Sequence, residues 1–356
     1  MKIGYSMWGF LTAGVLDTPD GSRAYRRPLI DRLNDAGYQV VLLQANRDLD
    51  EAGVDLRGAY CFDAGLPELS AVIFEWRWPL PGRNTTACGS EGHTCDLHRQ
   101  QGLIEHYTLG RSTPTLVWDL DRQLPADDPL RGHPAVTVAE YALLPNPGAV
   151  TVTCPVPDEA IDDSEPGDLA RRARPLDLVY VGNQYGRDDA FTTFFAPAAA
   201  HLAHRVAGKW PRTEAWPHVT FTGRAPFDEV ATIHAAALAT VLLLPERYRA
   251  AGHQTSRLFE AVTQGCLPLT PADTACADAF APEVLHVHDG ADVLTKTRWL
   301  RRLSGSSEHR DLIATCLTYL EPYRLSRQAA MLLHALYQLT ADRPPLCDSD
   351  SERTRA

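Results

Sequence analysis

Along the chain, continuous apolar runs alternate with segments whose apolar residues recur at helical spacing. Continuous apolar runs typical of buried strands occur at residues 2–5, 39–43, 71–74 and 115–118. After Asp20-Gly21-Ser22, a stretch suited to capping, Tyr25, Leu29 and Leu33 recur at helical spacing, and residues 96–109 predict another helix. Alternating strands and helices predict a parallel sheet with helices on both faces.

The same rhythm restarts in the second half of the chain after an interruption. Residues 155–175 are rich in Asp, Glu and Pro with little apolar periodicity, which is typical of a connection between domains. Further strand-like runs lie at residues 176–183, 205–208, 219–223 and 241–244, with a helix predicted at 227–238. We therefore predict a Rossmann-like domain at 1–154, a linker at 155–175, a second Rossmann-like domain at 176–340 and a disordered tail at 341–356.

Length and composition fit this two-domain prediction. A chain of 356 residues is long for one domain, and its 44% hydrophobic and 22% charged content is ordinary for a globular protein. No apolar stretch approaches the roughly 20 residues of a membrane helix, and the N-terminus leads directly into a strand. We therefore expect a cytoplasmic protein whose cysteines are mostly free thiols.

The charge balance limits the ligands of the protein. The net charge of −11 argues against a broad surface for polyphosphates. The first 150 residues contain 13 Lys and Arg against 19 Asp and Glu, a balance of −6. The 34 basic residues of the chain include only three lysines, so a local arginine-lined groove remains compatible with this composition.

Residues 240–271 are the most informative part of the sequence. The apolar run at 241–244 predicts a buried parallel strand, and a helix follows with Arg257 and Glu260 in its first turn. Carboxyl ends of strands and N-termini of helices meet where open α/β sheets bind ligands. An arginine there can bind phosphate with two hydrogen bonds, and Glu260 can accept from a ribose diol. The segment therefore predicts half of a nucleoside-diphosphate site, although an exposed ion pair between the two residues is the simpler alternative.

The segment S-R-L-F-E-A-x-x-x-G-C-x-P at residues 256–268 resembles the donor-binding segment of GT-B glycosyltransferases, and most closely that of the spore-maturation-type group. The resemblance implies an α/β fold of two Rossmann-like domains whose parallel sheets face a cleft. It also implies that Glu260 holds the donor ribose and that Gly265 lets the helix pack near the next strand. Many retaining members carry a second Glu where this chain has Gly252, so the resemblance does not fix the stereochemistry.

Other residues at predicted strand ends are candidates for the donor site. Gly182, Asn183 and Arg187 follow the strand at 176–181, and the resembling family uses the same loop. Arg224 follows the run at 219–223 and is a second candidate for the diphosphate, while His253 lies in the loop before Arg257. The alternatives are an ordinary turn, a surface arginine and an exposed loop histidine.

A glycosyl acceptor needs a base because the pKa of a hydroxyl lies far above neutral pH. The candidates in the first domain are Glu75, Asp20 and the two carboxylates after the strand at 115–118, Asp119 and Asp121, of which we favour Asp119. Glu75 follows the strand at 71–74 and precedes Trp76, and aromatic walls would raise its pKa. For each candidate, a helix cap, a turn or a pair with a nearby Arg is the structural alternative.

Four soft metal ligands occur within eleven residues, at Cys88, His93, Cys95 and His98. They could bind one zinc ion, although their spacing matches no common zinc finger. A Cys88–Cys95 disulfide and a glycine-rich loop with free thiols are the alternatives, and we predict no resident cofactor. No Asp-x-Asp motif lies in a convincing metal context, so we expect arginines and helix dipoles to stabilise the transferred charge without a metal.

Together these patterns predict a nucleotide-sugar-dependent glycosyltransferase that moves a sugar to an acceptor hydroxyl. One alternative is the same chemistry on hydroxymethylated pyrimidines of phage-type DNA, with Trp76 and Trp78 stacking a flipped base. The acidic first domain favours a small molecule or a glycan over DNA. A nucleotide-sugar epimerase and a non-catalytic nucleotide-binding module are further alternatives.

Overall fold

The computed structural model describes residues 1–13 and 22–341, and it contains two separate parallel sheets. The strands of the first sheet are β1 (Lys2–Ser6), β2 (Gln39–Leu42), β3 (Cys61–Phe62), β4 (Ala71–Glu75), β5 (Thr115–Asp119), β6 (Val136–Glu140) and β7 (Val150–Thr151). Those of the second are β8 (Leu176–Val181), β9 (His204–Ala207), β10 (Ala237–Val241), β11 (Leu267–Pro271) and β12 (His286–Val287). This arrangement confirms the predicted α/β fold with two parallel sheets.

Helices connect the strands and cover both sheets. In the first half they are α1 (Arg23–Asp35), α2 (Arg47–Ala52), α3 (Asp96–Leu103), α4 (Asp158–Asp162) and α5 (Pro166–Arg171). In the second half they are α6 (Asp188–Ala190), α7 (Ala196–Ala199), α8 (Val230–Ala235), α9 (Glu246–Arg249), α10 (Ser256–Val262), α11 (Gly290–Leu303), α12 (Ser307–Thr318) and α13 (Leu325–Ala341). The segments Ile104–Leu109 and Phe191–Phe195 are π-helical.

The order of the strands places one switch point in each sheet. The orders are β3-β2-β1-β4-β5-β6-β7 and β12-β11-β10-β8-β9. In each sheet the chain first adds strands on one side of its first strand and later continues on the other side. The reversals lie between β1 and β4 and between β8 and β10. At such points the carboxyl ends of the strands border a crevice that can bind a ligand.

Aromatic packing forms the floor of the first crevice. Tyr25 of α1, Trp118 of β5 and Tyr141 beyond β6 contact one another with ring centres 5.5 to 6.4 Å apart. Trp118 and Tyr25 are fully buried, as expected for a parallel sheet covered on both faces. This packing fixes α1 against the carboxyl edge of the first sheet.

The domains contact each other at the last helix and at the cleft. The last helix, α13, crosses back and packs against α1, β5 and β6 of the first domain, and Gln328 Oε1 accepts from the Thr153 amide at 2.8 Å. At the cleft, the amides of Leu143 and Leu144 donate to the carbonyls of Gly252 and Ala251, at 3.1 and 3.0 Å. The position of Gly252 therefore contributes backbone to the contact between the domains.

The structure differs from the predicted elements at three places. Residues 219–223 form no strand and contribute one isolated bridge, between Val206 and Phe221. Strand β10 begins at Ala237 instead of residue 241. The prediction missed this start because periodicity alone cannot tell whether the alanine-rich run there is a helix or a buried strand. The linker at 155–175 contains α4 and α5. Residues 342–356, most of the predicted tail, lie outside the described residues, and none of the described helices is long and apolar enough to cross a bilayer.

Candidate active site

Arg257 lies at the switch point of the second sheet and links the two strands that form it. Its Nε donates to the carbonyl oxygen of Val181, at the end of β8, at 2.5 Å. Its Nη1 donates to the carbonyl oxygen of Leu243, just beyond β10, at 3.5 Å. The guanidinium also lies over the ring of Tyr180, 4.7 Å from its centre. The sequence placed Arg257 in the first turn of a helix, and the fold adds its position between the two strands.

Arg187 also donates to the carbonyl oxygen of Leu243. Its Nε donates to Leu243 at 3.2 Å, and its Nη1 donates to the carbonyls of Asn183 and Tyr185 at 3.1 and 3.0 Å. Both arginines are only 8% exposed. In the described part of the chain, neither forms an ion pair with a carboxylate. Burial lowers the pKa of Arg257, and the nearby charge of Arg187 lowers it further.

Two buried cations that face one carbonyl oxygen repel each other, and backbone carbonyls and the nearby charge of Glu260 offset this repulsion. A bound anion would relieve this repulsion, because charge-assisted hydrogen bonds from two guanidiniums are strong in a low-dielectric setting. The geometry therefore favours an anion with several oxygens at the β8–β10 switch point.

Gly182 makes room for this arrangement. A Cβ at this position would lie 2.5 Å from Nη2 of Arg257 and 3.0 Å from the hydroxyl oxygen of Tyr180. Any side chain at Gly182 would therefore displace the guanidinium. The Tyr180 hydroxyl is itself buried, with no hydrogen-bond partner among the described residues.

Glu260 lies one helical turn beyond Arg257 and lines a mainly apolar slot of about 200 Å³. The slot is formed by Phe227, Phe259 and Ser256 of the second domain together with Ala24 and the start of the linker. Burial raises the pKa of Glu260, and Arg257 and the Ser256 hydroxyl oppose this. A single carboxylate between apolar walls is suited to a nucleoside, since the walls can hold a flat base while the carboxylate accepts from a diol.

A second cavity, of about 130 Å³, lies between the domains and adjoins the slot through Ser256. We call it the cleft. Its walls from the second domain include Arg187, Tyr248, His253 and Thr255, and those from the first domain include Ser22, Tyr25, Trp76, Arg77, Asp121, Tyr141 and Cys154. The slot and the cleft together thus run from Glu260 past Ser256 and Arg187 to side chains of the first domain. Arg257 lies behind them and contacts Leu243, the carbonyl that Arg187 also contacts.

His253 is a buried wall of the cleft instead of an exposed loop residue. Its ring stacks on that of Tyr248 with centres 3.8 Å apart and planes 10° apart, and its backbone bridges Ala142 of the first domain. Burial lowers the pKa of His253 to about 3, and the positive charges of Arg247, Arg122 and Arg187 contribute to this shift. The ring is therefore neutral at physiological pH.

The neutral state of His253 predicts a pH dependence of stability. In the unfolded chain the pKa of a histidine is about 6.5. Below that pH the unfolded chain binds a proton that the folded protein excludes until about pH 3. Stability is therefore fully present above pH ~6.5 and falls as the pH decreases, with a slope of up to about 1.4 kcal/mol per pH unit from this residue.

His253→Phe is expected to reduce that slope while the stacking on Tyr248 is kept. Urea unfolding between about pH 5 and 6.5 measures the slope, which should decrease by about 1.4 kcal/mol per pH unit. His201→Phe, at an exposed histidine, is the matched control and should leave the slope unchanged. An unchanged slope in His253→Phe would show that His253 is charged in the folded protein.

Asp121 is the carboxylate of the first domain that lines the cleft. Its Oδ1 accepts from the hydroxyl of Tyr248, across the domain boundary, and its Oδ2 accepts from Trp78 Nε1 at 3.3 Å. The backbone carbonyl of Asp121 also accepts from Arg247 Nε at 3.3 Å. These contacts orient the side chain and leave further lone pairs of its oxygens for a hydroxyl in the cleft.

Glu75, in contrast, is held in a buried ion pair. Both of its oxygens accept from Arg26, at 2.8 and 2.6 Å, and Oε1 also accepts from the Tyr5 hydroxyl at 2.7 Å. Glu75 is 1% exposed and Arg26 is fully buried. Tyrosines lie around Glu75, but its carboxylate is paired with an arginine at the β1–β4 switch point. This bidentate pair gives Glu75 a structural role and leaves it without a free face toward the cleft.

Asp119 caps a turn instead of facing the cleft. Its two oxygens accept from the amides of Gln123 and Leu124, at 2.9 and 2.7 Å. Burial raises the pKa of Asp119 to about 6, against the opposing effect of these two hydrogen bonds. The carboxylate is fully buried and does not line the cleft. Asp20, another candidate base, lies outside the described residues.

The side chains of two donor-site candidates, Asn183 and Arg224, line neither cavity. The side-chain oxygen of Asn183 accepts from the Lys209 amide at 2.8 Å and so ties two loops together. Arg224 is half-buried and lines neither the slot nor the cleft. Gly182, Arg187, His253, Arg257 and Glu260 do meet at one edge of the second sheet.

Sequence reasoning considered Asp121 beside Asp119 but favoured Asp119 as the base, and it gave Arg77 no role in the reaction. Arg77 lines the cleft, and its buried Nε and Nη2 have no hydrogen-bond partner in the described part of the chain. The available signal for Asp121 was its place two residues after the end of β5. Nothing in the local sequence distinguishes it from Asp119, because the turn that buries one and exposes the other is defined by tertiary contacts.

Comparison with known proteins supports the fold at this point. Residues 187–328 match the protein-family model described as "Glycosyl transferase-like". The fold is that of GT-B glycosyltransferases. No curated protein matches the sequence. The predicted glycosyltransferase domain is confirmed for the matched residues, which include Arg187, Arg257 and Glu260.

Solved structures similar to the whole chain are glycosyltransferases. T4 phage BGT in complex with its UDP-glucose substrate has a TM-score of 0.63 at 12% identity, covering 94% of this chain and 99% of that chain. AviGT4, a glycosyltransferase involved in avilamycin A biosynthesis, has a TM-score of 0.59 at 13% identity, covering 96% and 98%. An alpha-glucosyltransferase in complex with UDP and a 13-mer DNA has a TM-score of 0.59 at 10% identity, covering 95% and 100%. At these identities the similarity establishes the fold.

Proposed function

We propose that the protein is a glycosyltransferase that transfers a sugar from a nucleoside-diphosphate sugar to an acceptor hydroxyl. The observation that carries this proposal is the buried pair Arg187 and Arg257, which share one carbonyl oxygen and form no ion pair among the described residues. A diphosphate offers the charge and the several oxygens that such a pair requires.

The adjoining cavities orient the donor. The nucleoside occupies the slot with its ribose diol on Glu260, and the diphosphate lies between Arg257 and Arg187. The sugar then extends into the cleft, toward His253 and Asp121. The resemblance of residues 256–268 to the spore-maturation-type transferases supports the same assignment of the donor half.

In the transfer step, the oxygen of the acceptor hydroxyl bonds to the anomeric carbon of the sugar, and Asp121 accepts the proton that the hydroxyl loses. The bond from that carbon to the diphosphate oxygen breaks, and the electron pair stays on the leaving diphosphate. Arg187 and Arg257 stabilise that charge in a site shielded from water, so the step requires no metal ion. The neutral ring of His253 borders the sugar without adding a charge.

We propose a small molecule or a glycan as the acceptor. Trp76, Arg77 and Tyr141 line the acceptor side of the cleft, and aromatic rings with a few polar groups are suited to sugars and flat rings. Duplex DNA carrying hydroxymethylated pyrimidines is the second candidate, because the similar alpha-glucosyltransferase is seen with DNA. The balance of −6 over residues 1–150, from 13 basic and 19 acidic residues, weakens phosphate-backbone binding.

We place the protein in the cytoplasm, where its exposed thiols would stay reduced.

A donor screen tests the proposal directly. We expect one nucleoside diphosphate among UDP, GDP and dTDP to raise the Tm of the purified protein, and its sugar conjugate to do so at least as well. The ribonucleotide should bind more tightly than its 2′-deoxy form, and Glu260→Ala should abolish this preference, because it removes the oxygens that accept from the diol. No thermal shift with any nucleotide would refute the donor site.

Turnover of the identified donor then separates the candidate functions. Transfer to a mixture of small hydroxyl acceptors, without added Mg²⁺ or Mn²⁺, is the expected result. Transfer confined to hydroxymethylated DNA would favour the second candidate. A donor whose sugar is epimerised without an acceptor would indicate an epimerase, and binding without any turnover would indicate a non-catalytic module. Loss of turnover in EDTA, with recovery on adding Mg²⁺ or Mn²⁺, would contradict the metal-independent step.

A further inference from the structure

A cluster of four metal ligands lies in the loop between β4 and α3, on the first domain. Cys88, His93, Cys95 and His98 each offer one ligand atom, and these atoms all lie within 4.8 Å of one another. We propose that they bind one structural zinc ion. This proposal is independent of the proposed transfer reaction, which uses none of the four residues.

The spacing of the atoms is suited to a tetrahedral site. Zinc bonds of about 2.0 to 2.3 Å place the ligand atoms of a tetrahedron roughly 3.3 to 3.8 Å apart. Cys88 Sγ already lies 3.2 Å from His98 Nδ1, and the His93 and His98 ring centres are 5.8 Å apart. Small rotations of these partly exposed side chains complete the geometry. Two thiolates and two imidazoles are a donor set that selects zinc over magnesium or calcium.

His93 provides an independent indication of a missing ligand. The hydroxyl of Thr86 lies 3.4 Å from the Arg83 carbonyl and 3.2 Å from His93 Nδ1. In the tautomer in which Nδ1 donates to Thr86, Nε2 carries a free lone pair that can bind a metal. His93 Nε2 is buried without a hydrogen-bond partner in the described part of the chain. An outer hydrogen bond of this kind commonly orients a metal-binding histidine.

The loop is shaped to bring the ligands together. Gly89 and Gly92 both have positive φ angles, of 87° and 73°, which lets the chain turn back within four residues. The turn is closed by the Ser90 amide donating to Ala87 and by the His93 amide donating to Ser90, at 3.1 and 3.0 Å. Cys88 and His93 thus meet Cys95 and His98 at the start of α3.

The ion would stabilise the loop that carries Trp78 to Asp121. Next to the cluster, Asp96 accepts from the Thr94 hydroxyl at 2.9 Å and from Asn84 Nδ2 at 3.3 Å. Asn84 Nδ2 also donates to the Trp78 carbonyl at 3.1 Å, and the Trp78 indole donates to Asp121 at 3.3 Å. A cross-link at residues 88–98 therefore restricts the segment that orients Asp121.

Metal analysis of the full-length protein, produced without a metal-binding tag, tests the proposal. We expect about one zinc per chain in the wild type and less than ~0.1 in Cys88→Ser/Cys95→Ser. The matched control, Cys61→Ser/Cys276→Ser, changes two exposed cysteines outside the cluster and should keep its zinc. Wild-type protein loaded with Co²⁺ should show the visible absorption of a tetrahedral thiolate site, and the double variant should not.

Hydrogen exchange supplies a second measurement that does not depend on a variant folding. Chelation of the wild type should increase amide exchange in residues 78–98 and leave β8–β11 unchanged. Three results would overturn the proposal: wild-type protein without zinc that also fails to bind added zinc, zinc retained by the double variant, or a Cys88–Cys95 disulfide found by peptide mapping of the unreduced protein.

Discussion

Arg257→Met is expected to weaken binding of the donor nucleotide by about 2 to 5 kcal/mol, roughly 30- to 4,000-fold in Kd. The reason is that the variant removes one of the two cations that face the diphosphate. Titration calorimetry with the nucleoside diphosphate that stabilises the wild type measures this loss. Arg187→Met should cause a similar loss, because both guanidiniums address the same anion.

The Tm without nucleotide distinguishes a binding role of Arg187 and Arg257 from a structural one. Without nucleotide, the repulsion between Arg187 and Arg257 is relieved in either variant, while backbone carbonyls lose donors, so the Tm should change little. Arg249→Met is the matched control, since Arg249 is half-buried on neighbouring α9 and pairs with Glu246 and Asp273. Its affinity should stay within about twofold of wild type. Wild-type affinity in Arg257→Met would exclude the proposed diphosphate position.

Asp121→Asn is expected to lower kcat by about 10²- to 10⁴-fold while the Kd of the donor nucleotide stays near the wild-type value. The amide oxygen can still accept from Tyr248 or Trp78, so the fold is kept, but the amide cannot take the acceptor proton. Single-turnover transfer from the identified donor measures the chemical step without interference from product release.

Glu75→Gln is the contrasting variant for this prediction. It removes the Glu75 charge from a buried ion pair with Arg26, and breaking such a pair typically destabilises a protein by about 3 to 5 kcal/mol. We therefore expect lower stability in urea with the chemical step largely preserved in the folded fraction. A stable but inactive Glu75→Gln, together with an active Asp121→Asn, would move the catalytic base to Glu75.

The donor half of the site could be predicted from local sequence because its residues lie close together in the chain. Arg257 and Glu260 lie in a helix that starts at Ser256 and follows an apolar strand and a loop. This local order places them at a sheet edge independently of the rest of the fold. The exact strand was less certain, since β10 begins four residues before the predicted position and alanine-rich segments suit either regular structure.

The sequence by itself determined the two α/β halves and the edge on which the donor residues lie, because periodicity and helix starts are local properties. The tertiary structure decided which strands border each switch point, and therefore that Arg187 joins Arg257 around Leu243. It also decided that Glu75 is neutralised by Arg26, 49 residues away, while Asp121 reaches the cleft. Residues so distant in the chain leave no periodic pattern in the sequence that would reveal their contact. A carboxylate that is buried against an arginine is not available to a substrate, and only the tertiary structure shows which carboxylate this is.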